Sequence, residues 1–352
     1  MRKFWLVIGL VIMLVLGGYT SPKAASKGKL ALSYGTTSVG STGYGVAIAI
    51  TRLAEKYNPY FTLSVETVGG SSATMKLLAK KELEIGLGSA DTIRAAARGL
   101  KEFKKVGNIP VCIMFAGDTR GYQLITLKSD IKTLKDLKGR SVVWYAPASS
   151  TLTNMMQGTI DWVVKSYGWS EKDITTVQWK GTRGTMKSLR GGLADVGATL
   201  SVGGAAVMEL AIMTKGRFHI LPYSEEALDF ITDKYPDYVN AYVPKGTYES
   251  YPPENILTLG NPTFAFAAAE VSEDAIYDIV KAVFDHPDEF QKLVGKSIKP
   301  PDFTLETALR LPRVMPAPFH PGAVKYFKEK GIWTSELERK QKKNLADLGR
   351  KR

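Results

Sequence analysis

From about position 30 onward the chain alternates short apolar runs with amphipathic stretches, a pattern that predicts β-strands separated by α-helices. Between Gly43 and Tyr57, for example, Val46, Ile50 and Leu53 recur at the spacing of one helix face. Strands are predicted at Leu30–Tyr34, Thr62–Thr67, Glu84–Gly88, Val111–Phe115, Tyr122–Leu127, Ser141–Tyr145, Thr175–Gln178 and Val196–Leu200, and helices at Gly43–Tyr57, Ser72–Lys81, Leu152–Tyr167, Asp274–Phe284, Asp288–Leu293 and Pro321–Lys330. This order is typical of a mostly parallel sheet with helices on both faces.

Two parts of this pattern repeat each other. The segment Thr74-Met-Lys-Leu-Leu78 with Glu84-Ile-Gly86 returns as Thr185-Met-Lys-Ser-Leu189 with Asp195-Val-Gly197, 111 positions later at both places. An apolar strand and a Gly/Ser/Thr loop precede each copy. The repeat predicts an α/β protein with two similar lobes, and the length of 352 residues also favours two domains.

The chain is expected to pass between the lobes twice and so to form a hinge beside a cleft. The stretch Thr119–Leu127 fits the first crossing and Asn255–Phe266 fits the return. The predicted division is a signal peptide at 1–26, lobe one at 27–120 plus 262–352, and lobe two at 121–261. The segment Pro222–Pro253 is rich in Tyr and Pro, which predicts an irregular excursion of lobe two.

The N-terminal segment has the pattern of a secretory signal. Arg2 and Lys3 precede the apolar run Phe4–Leu16, and small residues follow. Because that run is shorter than the ~20 residues of a membrane-spanning helix, export to the periplasm is expected, with retention as a membrane anchor as the alternative. No lipoprotein cysteine follows the signal. The chain's single cysteine, Cys112, lies in an apolar run, so burial is expected and an intramolecular disulfide is excluded.

The composition adds an excess of positive charge, with 47 Lys and Arg against 34 Asp and Glu and a formal net charge of +13. The basic residues are spread along the chain and are not interleaved with aromatic residues, so no nucleic-acid partner is expected. A distributed positive charge favours the encounter with small anions, although it does not identify them.

Gly, Ser and Thr cluster in loops that follow predicted strands and precede predicted helices. Backbone N–H groups at a helix start have no helical acceptor and attract anions, and ligands of open parallel sheets bind at the carboxyl ends of the strands. Taken alone, the first loop fits a simple turn and helix cap equally well. The candidate ligand-binding residues are Ser38, Gly40, Ser41, Thr42, Gly43 and Tyr44 in the first loop, Gly70, Ser71 and Ser89 after the next strands, and Ala148, Ser149, Ser150, Thr151 and Arg183 in lobe two.

Residues suited to catalysis are scarce. His219, His286 and His320 are isolated from one another, and no His, Cys and Asp residues have the spacing of metal ligands. A Gly-x-Ser-x-Gly nucleophile elbow is absent from the sequence. We therefore expect no metal, no cofactor and no enzyme activity, but binding of a solute without chemistry.

A set of motifs in a fixed order covers nearly the whole mature chain. They are Gly40-Ser-Thr-Gly-Tyr44, Glu66-Thr-Val-Gly-Gly-Ser71, Ser89-Ala-Asp91, Leu134-Lys-Asp-Leu-Lys-Gly-Arg140, Tyr235-Pro-Asp-Tyr238 with Pro244-Lys-Gly-Thr-Tyr248, and Phe319-His-Pro-Gly-Ala-Val-Lys-Tyr326. In this order the chain resembles the TAXI-type solute receptors of tripartite ATP-independent periplasmic (TRAP) transporters.

The resemblance implies a type II periplasmic-binding-protein fold that closes on a small anionic solute and delivers it to a membrane-embedded TRAP permease. Family members are associated with glutamate, 2-oxoglutarate and related carboxylates. Carried onto matching positions, the ligand-facing residues are Ser41, Thr42, Gly43, Tyr44, Gly70, Ser71, Ser89, Ser149, Ser150 and Thr151. Arg183 departs from the family pattern, and either a pair with a solute carboxylate or an outward orientation fits the sequence.

Two other functions fit parts of the same sequence. The first is the binding protein of an ATP-driven (ABC) importer of the aromatic sulfonate or thiamine-precursor type, which shares the fold. The second is a transferase built on this fold, which needs catalytic carboxylates or a reactive cysteine in the cleft. The position of Cys112 in a predicted core strand disfavours the transferase.

Overall fold

The computed structural model describes residues 28–349 except 38, 40, 146–149, 179, 215, 250 and 296–301, and at 145 and 150 it describes only the backbone. The strands are β1 (Leu30–Thr36), β2 (Phe61–Thr67), β3 (Ile85–Ser89), β4 (Val111–Gly121), β5 (Gln123–Thr126), β6 (Ser141–Tyr145), β7 (Thr175–Gln178), β8 (Val196–Thr199), β9 (His219–Ile220), β10 (Val239–Val243) and β11 (Ile256–Ala268). The helices are α1 (Thr42–Tyr57), α2 (Ser71–Ala79), α3 (Ala90–Ala97), α4 (Ser150–Tyr167), α5 (Gly181–Arg190), α6 (Ala205–Met213), α7 (Glu225–Lys234), α8 (Glu273–Phe284), α9 (Pro287–Val294), α10 (Pro321–Glu329) and α11 (Ser335–Asp347).

The strands form two separate sheets with the same internal order. In lobe one the order is β10-β11-β3-β1-β2, and β4 also pairs with β11. In lobe two the order is β7-β6-β8-β5-β9. Each sheet contains a set of three parallel strands. A fourth strand, from a segment where the chain crosses between the lobes, pairs with this set in the antiparallel direction. The predicted fold class, an α/β protein with two lobes of the type II periplasmic-binding-protein kind, is confirmed.

The repeated threonines have the same structural role in the two lobes. Thr74 Oγ1 donates to the Gly70 carbonyl at 3.0 Å, and Thr185 Oγ1 donates to the Gly181 carbonyl at 3.2 Å. Each hydroxyl therefore satisfies a carbonyl at the start of the helix that follows the second strand of its lobe.

The repeated acidic residues also match. The Glu84 carboxylate accepts the Ser33 N–H at 2.7 Å, and the Asp195 carboxylate accepts the Ser141 N–H at 2.9 Å. These bonds tie the start of the third strand to the first strand of each lobe. Burial of Asp195 opposes ionisation, but the hydrogen bonds from Ser141 outweigh it and lower the pKa of the carboxyl.

The two lobes are joined by an antiparallel pair of strands. β4 and β11 pair from Val111 with Ala268 to Gly121 with Gly260. The predicted crossings therefore lie within these strands or directly beside them, and the predicted lobe boundaries at 120/121 and 261/262 fall inside β4 and β11. The hinge is a two-stranded ribbon.

The prediction of an irregular excursion at 222–253 was wrong, because this segment contains α7 and β10. Ser224 caps α7 by accepting the Ala227 N–H at 3.2 Å, and Leu228 and Ile231 are buried on one helix face. β10 then pairs with β11 in the sheet of lobe one. The many Tyr and Pro residues of the segment obscured this short periodic pattern.

Each lobe encloses its own buried core. The core of lobe one packs around Phe115, Phe264 and Phe266, which are fully buried, and the core of lobe two includes Tyr122 and Tyr238. Cys112 is buried in β4, so the predicted burial of its thiol is confirmed.

Candidate functional site

The start of helix α1 carries the first group of predicted ligand-binding residues. Ser41 is the cap of the helix, and its Oγ accepts the Tyr44 N–H at 3.2 Å and lies 2.6 Å from Thr37 Oγ1. Thr42, Gly43 and Tyr44 form the first turn, where N–H groups have no acceptor within the helix. The helix dipole adds a partial positive charge at this end, so the turn favours an anion.

Arg120 lies beside this helix start. A Cβ atom placed on Gly43 would be 3.9 Å from Arg120 Nη2, an ordinary contact, and 3.0 Å from Thr37 Oγ1, which would be crowded. Arg120 belongs to β4, where the chain leaves lobe one, and its side chain is 31% exposed. The hinge thus brings a guanidinium next to the first turn of α1.

A row of polar side chains continues from Arg120 along the hinge ribbon. Arg120 Nε is 3.3 Å from the Asp118 carboxylate, which also accepts the Thr263 hydroxyl at 2.6 Å. Asn261 is the ladder partner of Arg120, and its buried Oδ1 has no hydrogen-bond partner within the described part of the chain. A buried acceptor without a partner beside a cation offers a place for a donor group of a bound molecule.

The second group of predicted residues lies at the starts of α2 and α3. Gly70 precedes α2 with φ of 116°, a conformation that favours glycine, and Ser71 Oγ accepts the Ser89 N–H at 3.3 Å. Ser89 occupies the N-cap position of α3 without a capping bond from its side chain, and it is the ladder partner of Thr263 in β11. The polar row of the hinge therefore connects this group with Arg120.

The two lobes meet at Thr151, in the first turn of α4. Thr151 Oγ1 is 3.2 Å from Ser89 Oγ and donates to the Asp91 carboxylate of lobe one at 2.9 Å. The Tyr238 hydroxyl donates to the same carboxylate at 3.3 Å. Burial and the facing Asp91 raise the pKa of Tyr238 well above its usual value, so this hydroxyl keeps its proton.

Asn154 lies one turn after Thr151 on the same helix. Its Nδ2 is buried and has no partner among the described residues. Because residues three apart share a helix face, this donor lies on the side of α4 that meets lobe one. A donor without a partner at a contact between lobes is a second position suited to a bound molecule.

One predicted residue is exposed to solvent, and several others are not described. Arg183 is 71% exposed on α5, and its guanidinium lies 3.8 Å from Glu209 on α6. Ser38, Gly40, Ala148 and Ser149 lie outside the described residues, and of Ser150 only the backbone in α4 is described.

The candidate residues chosen from the sequence did not include Arg120, Asp118, Asn261 or Asp91, although Asp91 lies in the motif Ser89-Ala-Asp91. A signal for the first two was present, since Asp118 and Arg120 are the only charged residues between Val111 and Thr126. A charge pair within an apolar crossing is costly to bury unless the charges have partners or a function.

The histidines make structural contacts. His320 caps α10, its Nδ1 accepts the Gly322 N–H at 3.3 Å, and Nε2 is 3.0 Å from the Val271 carbonyl. Burial lowers the pKa of His320 to about 4. The His286 ring stacks on Tyr57 with centroids 3.5 Å apart. Within the described ranges no three His, Cys, Asp or Glu side chains come together as a metal site, and none of the helices there is both long and apolar enough to cross a membrane.

Comparison with known proteins gives both structural neighbours and a family. The periplasmic aliphatic sulphonate binding protein SsuA from Escherichia coli is 15% identical, with a TM-score of 0.46 over 92% of each chain. The alkanesulfonate-binding protein SsuA from Xanthomonas axonopodis pv. citri, bound to MOPS, is 12% identical, with a TM-score of 0.43 over 92% of this chain and 99% of that chain. The substrate binding protein of an amino acid ABC transporter is 12% identical, with a TM-score of 0.42 over 76% of this chain and 99% of that chain. A family model matches residues 34–331, across both lobes, and by that match the chain belongs to the NMT1-like family.

Proposed function

We propose that this protein is an extracytoplasmic receptor that binds a small organic anion between its two lobes and passes it to a membrane transporter. The observation that carries the proposal is the position of the Arg120 guanidinium next to the first turn of α1. Two independent sources of positive potential, an ionised side chain and a helix start, lie together at the hinge.

A carboxylate or sulfonate group fits this position for a physical reason. Arg120 offers N–H donors in a planar fork that matches two oxygens of one anionic group. The N–H groups of the first turn of α1 and the hydroxyls of Ser41 and Thr37 supply further contacts. A donor on the same solute would satisfy the Asn261 Oδ1 atom.

The remaining predicted residues belong to the same proposal. Gly70, Ser71 and Ser89 line the part of lobe one that the hinge row connects to Arg120, and Thr151 approaches from lobe two. Arg183 has no part in the site in this proposal, because its guanidinium lies beside Glu209 on the surface. The proposed role is binding without reaction, so no cofactor is included.

The proposed location and partner follow from the sequence. We place the mature protein in the periplasm after removal of residues 1–26, with lobe one at 27–120 plus 262–352 and lobe two at 121–261. The TAXI resemblance favours a TRAP permease as the partner and a carboxylate such as glutamate or 2-oxoglutarate as the solute. The proteins with similar structures favour the alternative, an ABC importer, because they include sulfonate-binding proteins and the binding protein of an amino acid ABC transporter.

A thermal-shift screen tests the binding function directly. The protein is unfolded, dialysed and refolded to remove bound solute, and its melting temperature is measured with carboxylates, keto acids, amino acids and sulfonates. Each anion is paired with a neutral analogue, such as glutamate with glutamine or an alkanesulfonate with the alcohol. A solute that binds only the folded protein raises the melting temperature with the logarithm of its concentration.

We expect at least one anion, and not its neutral analogue, to give this rise. A rise with the neutral analogues alone, or with none of the compounds, would contradict the proposed site. Uptake of the identified solute by cells, measured with the ion gradient collapsed or with ATP depleted, then distinguishes a TRAP permease from an ABC importer.

A further inference from the structure

One face of helix α3 makes two contacts with lobe two. Asp91 and Arg94 are three residues apart and so lie on the same face of the helix. Asp91 bonds to Thr151 and Tyr238, and Arg94 bonds to Asp237. Both residues therefore reach from α3 of lobe one to α4 and to the segment between α7 and β10. Tyr238 of that segment packs in the core of lobe two, although β10 itself joins the sheet of lobe one.

The Asp91 contact is closed to water. The carboxylate is 2% exposed and accepts the Thr151 hydroxyl at 2.9 Å and the Tyr238 hydroxyl at 3.3 Å. Thr151 belongs to α4, and Tyr238 is part of the buried core of lobe two. A carboxylate of lobe one is thus held by two donors of lobe two.

Arg94 forms a bidentate ion pair with Asp237. Arg94 Nε is 2.6 Å and 2.8 Å from the two Asp237 oxygens, and Nη2 is 2.5 Å from one of them. The side chain of Asp237 is only 3% exposed, and Arg94 is 26% exposed. Asp237 lies three residues beyond the end of α7, which packs against α4, and it directly precedes Tyr238. This geometry is the strong form of an Arg–carboxylate bond.

We propose that these two contacts form a latch that holds the lobes closed when no solute is bound. Every bond of the latch joins two protein groups, so closure through it does not require a solute. This inference goes beyond the proposed receptor function, because it concerns the conformational state of the empty protein.

The energetics of buried charges explain how the latch is broken. Removing one partner of a buried ion pair leaves the other charge buried without compensation. In this protein that cost applies only to the closed state, since opening returns the remaining charge to water. Loss of a latch partner therefore shifts the population toward open lobes.

Small-angle X-ray scattering of the full chain, freed of solute by unfolding and refolding, tests the latch. The variants are Asp237→Asn, which removes the charge that faces Arg94, and Thr151→Val, which removes a donor to Asp91 at nearly constant volume. The matched control is Asp130→Asn, which breaks the 2.6 Å bond between Arg140 and Asp130 within lobe two.

We expect the wild-type and Asp130→Asn proteins to scatter as the closed structure does. Asp237→Asn and Thr151→Val should increase the radius of gyration and the maximum dimension, and should speed amide hydrogen exchange in α3. A wild-type curve that fits only separated lobes, or Asp237→Asn and Thr151→Val curves identical to that of the wild type, would overturn the latch. Circular dichroism verifies that each variant is folded, and Thr151→Val keeps the test decisive if Asp237→Asn does not fold. No solute is needed, so the result is independent of whether the proposed anion site is correct.

Discussion

The two lobes share their framework but differ at the helix that follows the first strand. In both lobes the repeated threonine bonds the carbonyl at the start of its own helix, and the repeated acid ties the first and third strands together. At α1, however, Gly43 in the first turn lies next to Arg120, whereas at α4 the first turn meets Asp91 of the other lobe. The duplication thus accounts for the shared scaffold, and the proposed site lies where the two copies differ.

The largest expected difference between the lobes concerns acid stability, because lobe one contains the buried His320. Its pKa of about 4 in the folded protein lies below the usual 6.5. Between pH 6.5 and 4 the unfolded chain binds a proton at this residue that the folded protein does not. The contribution of neutral His320 is therefore complete above pH 6.5 and is lost as the pH falls to 4, by roughly 3 kcal/mol.

Urea unfolding between pH 4 and pH 7 measures this loss. The wild type should lose more stability over this range than His320→Asn, while the half-buried His219 of lobe two provides the matched control variant His219→Asn. If the free energies of unfolding of the wild type and His320→Asn changed equally with pH, the buried imidazole would not be the cause of an acid sensitivity specific to lobe one.

The second difference concerns the two arginines that flank the cleft loops. Arg120→Gln should weaken binding of the anion found in the screen by roughly 10- to 150-fold, since a hydrogen bond to a charged group contributes about 1.5 to 3 kcal/mol. Arg183→Gln should change the affinity less than twofold, because Arg183 is exposed and paired with Glu209. Titration calorimetry measures both, and Arg120→Lys shows how much of the effect depends on the planar fork. A larger loss of affinity in Arg183→Gln than in Arg120→Gln would instead indicate that the solute binds at lobe two.

Gly86 and Gly197 occupy equivalent, tightly packed positions in the third strands of the two lobes. A Cβ on Gly86 would lie 2.7 Å from the Phe266 ring, and one on Gly197 would lie 2.5 Å from the Thr185 methyl group. Gly86→Ala and Gly197→Ala should each cost about 1 to 3 kcal/mol of the free energy of unfolding through overpacking. Gly45→Ala, with open space around the new Cβ, should instead stabilise α1 by about 0.5 to 1 kcal/mol. Equal effects of all three in chemical denaturation would refute the packing argument.

The smallest expected effect distinguishes Ser41, which caps α1 and is proposed to contact the solute, from Ser224, which only caps α7. Ser41 and Ser224 accept the N–H three residues ahead at the same distance of 3.2 Å. Either serine replaced by alanine should cost about 1 kcal/mol of stability. In calorimetry only Ser41→Ala should also weaken solute binding. A loss of affinity in Ser224→Ala of the same size would indicate that the binding change reflects general destabilisation.

Much of the framework could be predicted from the chain itself. The strands at Ser141–Tyr145 and Thr175–Gln178 were predicted with their observed bounds, and α1 begins one residue earlier than predicted. These elements have strong periodicity and clear turn residues at their ends. Helix α3 was missed because it follows β3 with no linker, and its alanines give a weak pattern.

The site was harder to predict because it depends on contacts between distant positions. Nothing local in the sequence shows that Arg120 lies next to Gly43 or that Asp91 meets Thr151. Arg183 lies in the first turn of α5 with its side chain exposed beside Glu209, and the sequence alone left this orientation and a pair with the solute equally open. The Gly, Ser and Thr loops indicated where helices start, whereas the hinge ribbon that carries Arg120 became apparent only from the fold.

The most direct test is a crystal structure of the protein with the anion that gives the largest thermal shift. Our account predicts that the carboxylate or sulfonate group lies within hydrogen-bond distance of the Arg120 guanidinium and of an N–H group in the first turn of α1. An anionic group bound at Arg183 or elsewhere, with neither Arg120 nor the start of α1 in contact with it, would contradict the account.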